Sequence, residues 1–299
     1  MQINISNIPL QQIDDEILRS HGVKLYVLRT DLSNKDISGN KLFKLKYNLL
    51  QAKKFKCDTL LTFGGAFSNH IAATAAAGKN FGFKTMGIIR GEKQLPLNPT
   101  LQYATECGMQ LHYVPRSLYK DKILLNNYVK EQFDDEGIYF IPEGGSNELG
   151  VKGCEEITNF IPIDFDYIVV SCGTGATVSG IIRSLKNEQH AIGFQILKGD
   201  GYIRNELNKW LANDDKDNWH INEDYHFGGY AKVKQELITF VNDFEKTHNI
   251  PLDFVYTAKM MFGTYDLIKT GFFARGKTIV FVHTGGIQGN AGLIFRNVN

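Results

Sequence analysis

The 299-residue chain has no run of about eighteen apolar residues, so no segment reads as a membrane-spanning helix. Met1-Gln2-Ile3-Asn4 lacks the basic-then-apolar order of a secretory leader. Charge of one sign is not in excess: 33 Lys and Arg face 32 Asp and Glu, leaving no field to attract nucleic acid or an acidic membrane. Cysteine is sparse. Cys57, Cys107, Cys154 and Cys172 lie far apart and form no C-x-x-C pair, which argues against a disulfide framework and a zinc site and fits reduced, buried thiols. With only 7 prolines and no repeat or low-complexity tract, the chain has no long linker. The expectation is a cytoplasmic globular protein without metal, forming one large or two modest bodies. Any division between bodies must run through short crossings, and the Gly39-Asn40 turn and the glycine-rich strip 142–153 are the candidates.

What is present is alternation. Apolar runs rich in β-branched and aromatic residues occur at 24–30, 58–63, 84–89, 109–114, 138–141, 166–172, 191–197 and 277–283. Helical spacing fills 42–56, 69–82, 97–107, 149–160, 177–186, 230–248 and 258–271. This order predicts an α/β fold with mostly parallel sheets covered by helices. Glycines cluster where strands should end, at Gly64-Gly65, Gly173 with Gly175, and Gly285-Gly286. Ligands in such folds bind beyond the carboxyl ends of strands, so three such clusters predict one shared small-molecule cleft.

Two helix starts carry chemistry. In "SCGTGATVSGIIRSL", 171–185, a strand passes through a Gly/Thr loop into a helix, whose first N–H groups form an anion site. The G-K-[ST] ending of a Walker loop is missing, because Gly180 precedes Ile181-Ile182. The dinucleotide spacing also fails, with Val178 where a third glycine belongs, although Asp200 could mimic a ribose acid. A phosphate monoester fits better than either nucleotide, and an ordinary Thr-capped turn is the bland alternative. In "TFGGAFSNHIAATAAAG", 62–78, Ser68 has the character of an N-cap. Asn69 and His70 do nothing for a helix, and a substrate carboxylate is the expected guest there. In "DISGNKLFKLKYNLL", 36–50, Leu42, Leu45 and Leu49 form the buried stripe. Lys41 opens the helix, Lys44 follows on the same side, and Lys46 with Lys53-Lys54 should be solvated. A lysine at a helix N-terminus is disfavoured as an ammonium by the dipole, and burial would act in the same direction.

The segments "SGNKLFKL", "GGAFSNH", "GGSNELGVKG", "SCGTGATVSG", "VYTAKMMFG" and "FVHTGG", in this order, resemble the 1-aminocyclopropane-1-carboxylate deaminase/D-cysteine desulfhydrase family. The resemblance spans about residues 24–295. It implies the tryptophan-synthase-β fold (fold type II): two α/β domains with pyridoxal 5'-phosphate in the interdomain cleft, and a homodimer. The implied division is residues 1–41 with 153–299 as the larger, phosphate-binding domain and 42–152 as the smaller. Carried over by motif, Lys41 is the Schiff-base lysine and Lys44 reaches toward the phosphate. Gly173, Thr174, Gly175, Ala176 and Thr177 wrap that phosphate. Asn69 bonds the cofactor's phenolic oxygen, and Thr284 approaches the pyridine nitrogen. Lys41, Tyr256 and Ser68 form the implied catalytic set, with Ser68, Asn69, His70, Tyr230, Tyr256 and Thr257 around a small amino-acid substrate.

Ring-opening deaminases of this family carry a glutamate after the active-site tyrosine and an apolar residue in H-x-G-G. This chain has Thr257 and Thr284 there, the pattern of the desulfhydrase branch. A neutral hydroxyl beside the pyridine nitrogen leaves the ring a shallower electron sink, which favours prompt loss of a β-leaving group. The expectation is therefore β-elimination from D-cysteine to pyruvate, ammonia and sulfide. The alternatives are ring opening to 2-oxobutanoate and ammonia, and a ligand-sensing protein without chemistry. The chain is short through 198–232, and "IQGNAG" after H-T-G-G places Gln288 and Asn290 near the pocket.

Overall fold

A computed structural model describes residues 2–6, 8–133, 136–212 and 214–292, so the last three residues of the family resemblance lie outside the described residues. The chain begins with β1 (Leu10–Ile13), α1 (Glu16–His21), β2 (Lys24–Leu28) and α2 (Asn40–Lys54). β3 (Thr59–Gly65), α3 (Asn69–Phe81), β4 (Lys84–Arg90), α4 (Pro99–Glu106) and β5 (Met109–Val114) follow. Next come α5 (Arg116–Lys120), α6 (Lys122–Gln132), β6 (Ile138–Ile141) and α7 (Glu148–Glu155). The remainder is β7 (Tyr167–Cys172), α8 (Ala176–Ser184), β8 (His190–Gln195), α9 (Tyr202–Trp210), β9 (Trp219–Asn222), α10 (Gln235–His248), α11 (Thr257–Lys269) and β10 (Thr278–Val282).

Among the described residues the strands form two sheets, ordered β1-β2-β10-β7-β8-β9 and β5-β4-β3-β6. Every pairing is parallel except β1 with β2. Parallel strands need helical crossovers, and the helices cover both faces, so central strands read as unbroken apolar runs. β3 shows this: its first six residues are all buried. The strands of the four-stranded sheet all lie between residues 59 and 141. The chain enters that region through α2 and leaves it through α7, and these two helices pack on each other.

α2 buries Leu42, Leu45 and Leu49 as its spacing predicts, and it also buries Lys44. Gly39, which starts it, has φ 71° and ψ −151°, and a Cβ there would lie 2.0 Å from the Thr284 carbonyl oxygen. Only glycine allows this approach of the 38–41 turn to the end of β10. Lys46 differs from expectation: it pairs with Glu156 at 2.6 Å instead of standing free in solvent. The four cysteines are free thiols, buried at 57, 154 and 172 and half-buried at 107.

Candidate active site

The glycine-bearing ends of β3, β7 and β10 converge. Gly65, Gly173, Gly175, Gly285 and Gly286 line one cleft of about 790 Å³. Lys41, Lys44, Ser68, Asn69, His70, Thr174, Thr177, Tyr230, Tyr256 and Thr284 line it as well. Ala176 and Thr257 are outside the lining.

α8 begins in this cleft. Its cap residue Gly175 has φ 80° and, among the described residues, no side chain caps the helix, so its first-turn N–H groups lack a side-chain acceptor. The Thr174 hydroxyl oxygen accepts from Ser146 at 2.5 Å and from Lys44 Nζ at 3.2 Å, which leaves its own proton free to donate. Lys44 Nζ also donates to the Gly144 carbonyl at 3.1 Å, and burial lowers its pKa. Ala176, the first residue of α8, is fully buried.

Lys41 Nζ donates to Asn40 Oδ1 at 2.7 Å, and Asn40 Nδ2 donates to Thr177 Oγ1 at 2.9 Å. Asn40 thus ties the lysine to the α8 loop. Its signal is the Gly-Asn-Lys triplet, but its role depends on how the fold brings α8 beside it. The Lys41 pKa falls from 10.5 to about 7, through burial first and the positive charge of Lys44 second. The sequence pattern predicts this direction from burial and from the helix dipole together. Enclosure and the neighbouring lysine are the main causes, and Lys41 itself is half-buried at the edge of the cleft. Two lysines, an uncapped helix N-terminus and free hydroxyls converge on one space. Of the acids lining it, Glu143 is paired with Lys122 at 3.0 Å. Such a site favours an anion.

The other wall is built from the starts of α3 and α11. Ser68 Oγ accepts from the His70 and Ile71 N–H groups at 3.2 and 3.4 Å, the capping role its sequence position predicts. His70 lines the cleft as expected, and its ring is also held from below. Thr62 gives its hydroxyl proton to the Ile141 carbonyl at 2.9 Å, so His70 Nε2, 2.8 Å away, must donate to Thr62. The ring lies on the cleft floor, held in one tautomer. Burial and the two lysines keep its pKa well below the usual 6.5, so it is a neutral ring on the cleft floor. Asn69 Oδ1 accepts from Gln288 Nε2 at 3.1 Å, which turns its Nδ2 donor group toward the cleft over Gly286.

Tyr256 packs on Gly173, where a Cβ would come within 3.1 Å of its ring, and burial raises its pKa. Tyr230 meets it edge-on at 6.4 Å. Thr257, expected beside the substrate, is fully buried. Its hydroxyl accepts from the Asp253 N–H at 2.8 Å and its own N–H donates to Asp253 Oδ1 at 2.7 Å. Asp253 was missed by the sequence reading. It accepts from Tyr256 N–H at 2.9 Å as well, thereby orienting the start of α11, and burial raises its pKa. Ser171, also unassigned beforehand, faces Thr284 with the two hydroxyl oxygens 3.2 Å apart on the cleft floor.

A family of pyridoxal-phosphate dependent enzymes matches the chain over residues 2–285. The chain belongs to that family. Within it, a Pyrococcus furiosus protein provisionally named 1-aminocyclopropane-1-carboxylate deaminase is 32% identical, over 94% of this chain and 90% of its own. An Arabidopsis thaliana protein named as a bifunctional, mitochondrial D-cysteine desulfhydrase/1-aminocyclopropane-1-carboxylate deaminase is also 32% identical, over 90% of this chain and 74% of its own. The crystal structure of a homologue of 1-aminocyclopropane-1-carboxylate deaminase superposes with a TM-score of 0.82 at 26% identity, covering 98% of this chain and 95% of that one. These relatives place the chain in the deaminase/desulfhydrase group and make it a pyridoxal-phosphate enzyme of fold type II.

The residues present fit that cofactor. A pyridoxal-phosphate enzyme needs a lysine that is partly neutral near pH 7, and Lys41 is one. It needs a phosphate seat, and the uncapped start of α8 beside Lys44 and Thr174 has the right donors. It needs donors for the ring, and Asn69 Nδ2 and the Ser171–Thr284 hydroxyl pair lie in the same cleft. The family's cofactor therefore explains why two lysines are enclosed together.

Proposed function

We propose that this pyridoxal-phosphate enzyme catalyses a β-elimination from a small amino acid, of the D-cysteine desulfhydrase kind. The observation that carries the reading is the neutral Ser171–Thr284 hydroxyl pair on the cleft floor. No carboxylate stands at 284, and the side chain at 257 is turned into the protein against Asp253. When bound, pyridoxal phosphate supplies an aldehyde carbon and a ring that withdraws electrons from the substrate's Cα.

The protein's own groups do the rest. Lys44, Thr174, Thr177 and the N–H groups at 173–177 would hold the phosphate. Lys41 would hold the aldehyde and, once released, take the Cα proton as a neutral amine, with Tyr256 beside it and Asn40 fixing its direction. Asn69 Nδ2 would donate to the phenolic oxygen, steadied by Gln288. Ser68 and the N-terminal turn of α3 would face the carboxylate, and Tyr230 would close the substrate side. A thiolate leaving from Cβ then takes a proton and ends as sulfide, and water hydrolyses the released enamine to pyruvate and ammonia. This reading also takes residues 42–152 as a smaller domain against 1–41 with 153–299, and it takes the working form as a homodimer in the cytoplasm.

A second reading, ring opening of 1-aminocyclopropane-1-carboxylate, takes its support from the names of relatives, one provisional and one giving both activities. Purified enzyme given D-cysteine, L-cysteine and the cyclic amino acid side by side separates the two. We expect sulfide and pyruvate from D-cysteine at the highest kcat/KM. A higher kcat/KM for 2-oxobutanoate release from the cyclic compound would overturn the assignment.

A further inference from the structure

Lys259 lies in "VYTAKMMFG", yet it does not line the cleft and is fully buried within α11. Burying a lysine is unfavourable unless its ammonium is satisfied, and here main-chain oxygens do that. Nζ donates to the His226 carbonyl at 2.9 Å and to the Gly229 carbonyl at 2.8 Å. Burial pushes this amine down to about 8 while Asp253 pulls it up, so most molecules keep the charge at neutral pH.

The clamped segment is wound tightly. Phe227 and Ala231 take left-handed φ values of 56° and 53°, unfavourable for residues with a side chain, and Gly228 and Gly229 lie between them at 96° and 114°. Such a conformation persists only where its surroundings fix it. A turn bond from the Gly229 N–H to the His226 carbonyl and the Phe227–Phe262 ring contact at 5.1 Å help, and Lys259 adds a charged double anchor from below. The next residue is Tyr230, whose ring stands against Tyr256 in the cleft.

We propose that Lys259 is a positioning residue: by holding the His226 and Gly229 carbonyls it fixes Tyr230 against Tyr256 and so sets substrate affinity. The effect on affinity rests on the amino-acid reading of the cleft, whereas the effect on the loop does not.

The test uses enzyme loaded with pyridoxal phosphate and the Lys259→Met variant. Hydrogen exchange of the 223–232 segment is expected to accelerate at least roughly tenfold, the ratio for losing one hydrogen bond to a charged group. Exchange in 167–184 and the borohydride-trapped adduct on Lys41 should stay as in wild type. With D-cysteine, KM should rise by a similar factor and kcat much less. In a Tyr230→Ala background the same substitution should leave KM unchanged, because the residue acts through Tyr230. Unchanged exchange in 223–232, or KM effects that multiply in the double variant, would overturn the proposal. If Lys259→Met does not fold, Lys259→Gln replaces it, and wild-type loop exchange in that variant is equally fatal. Accelerated exchange in an enzyme that ignores D-cysteine would overturn the substrate assignment and leave the clamp standing.

Discussion

Lys41→Met should make the cofactor-free protein more stable, in a way that depends on pH. In the fold the Lys41 amine sits at about 7 instead of 10.5. Between these values the unfolded chain binds a proton that the folded one does not, so wild-type stability rises with pH across that interval. The burden of the buried amine is full below the folded value and vanishes above the unfolded one. At about 1.4 kcal/mol per pKa unit, it amounts to roughly 5 kcal/mol near pH 6 and roughly 2 kcal/mol near pH 9. Water in the cleft screens Lys41, and halving these figures leaves roughly 2 and 1 kcal/mol. Methionine matches lysine in length and helix propensity, so little else changes. Relief of Lys44 and of His70, whose pKa the Lys41 charge also lowers, acts in the same direction. Urea unfolding of both cofactor-free proteins near pH 6 and near pH 9 reads the difference directly. We expect a higher midpoint for Lys41→Met, with the gain larger at the lower pH. No gain near pH 6, or a gain that grows with pH, would refute the claim that enclosure lowers this pKa.

Gly39→Ala should cost about 3 kcal/mol or more, since it combines a forbidden backbone conformation with a Cβ 2.0 Å from the Thr284 oxygen. A urea midpoint close to wild type would contradict that geometry. Ser68→Ala should lose about 1 kcal/mol of stability through its cap. If kcat/KM for the substrate stays level in that variant, Ser68 belongs to the helix and leaves the catalytic set. Thr257→Glu should lower the melting temperature sharply, because it presses a second carboxylate onto buried Asp253. Restoration by Asp253→Asn in the same chain is expected, and its failure would mean that repulsion is not the cause.

Much of the α/β order was legible because buried parallel strands leave long β-branched runs, and all eight predicted strands lie in the sheets. β1 (LQQI) and β9 (WHIN) escaped: they are four-residue edge strands, half polar, with no run to detect. α9 escaped for a related reason, since YIRNELNKW buries only Ile203 and Leu207. The convergence of Gly65, Gly173 and Gly285 in one cleft followed from strand-end glycines, which mark a site through backbone geometry. Side-chain direction was not legible. Thr257 sat beside Tyr256 in a motif yet turned inward, and His70 was committed to Thr62 by a hydroxyl whose proton goes elsewhere. Asp253 left one faint signal, an acid four residues before the start of a helix, and Lys259 left none that a surface lysine would not leave.

We propose Lys41 as the amine that carries pyridoxal phosphate. Mass spectrometry of peptides from protein incubated with pyridoxal phosphate and reduced with borohydride should find one phosphopyridoxyl group, on Lys41. A single group on Lys44 or Lys259, or no group in folded protein, would contradict it.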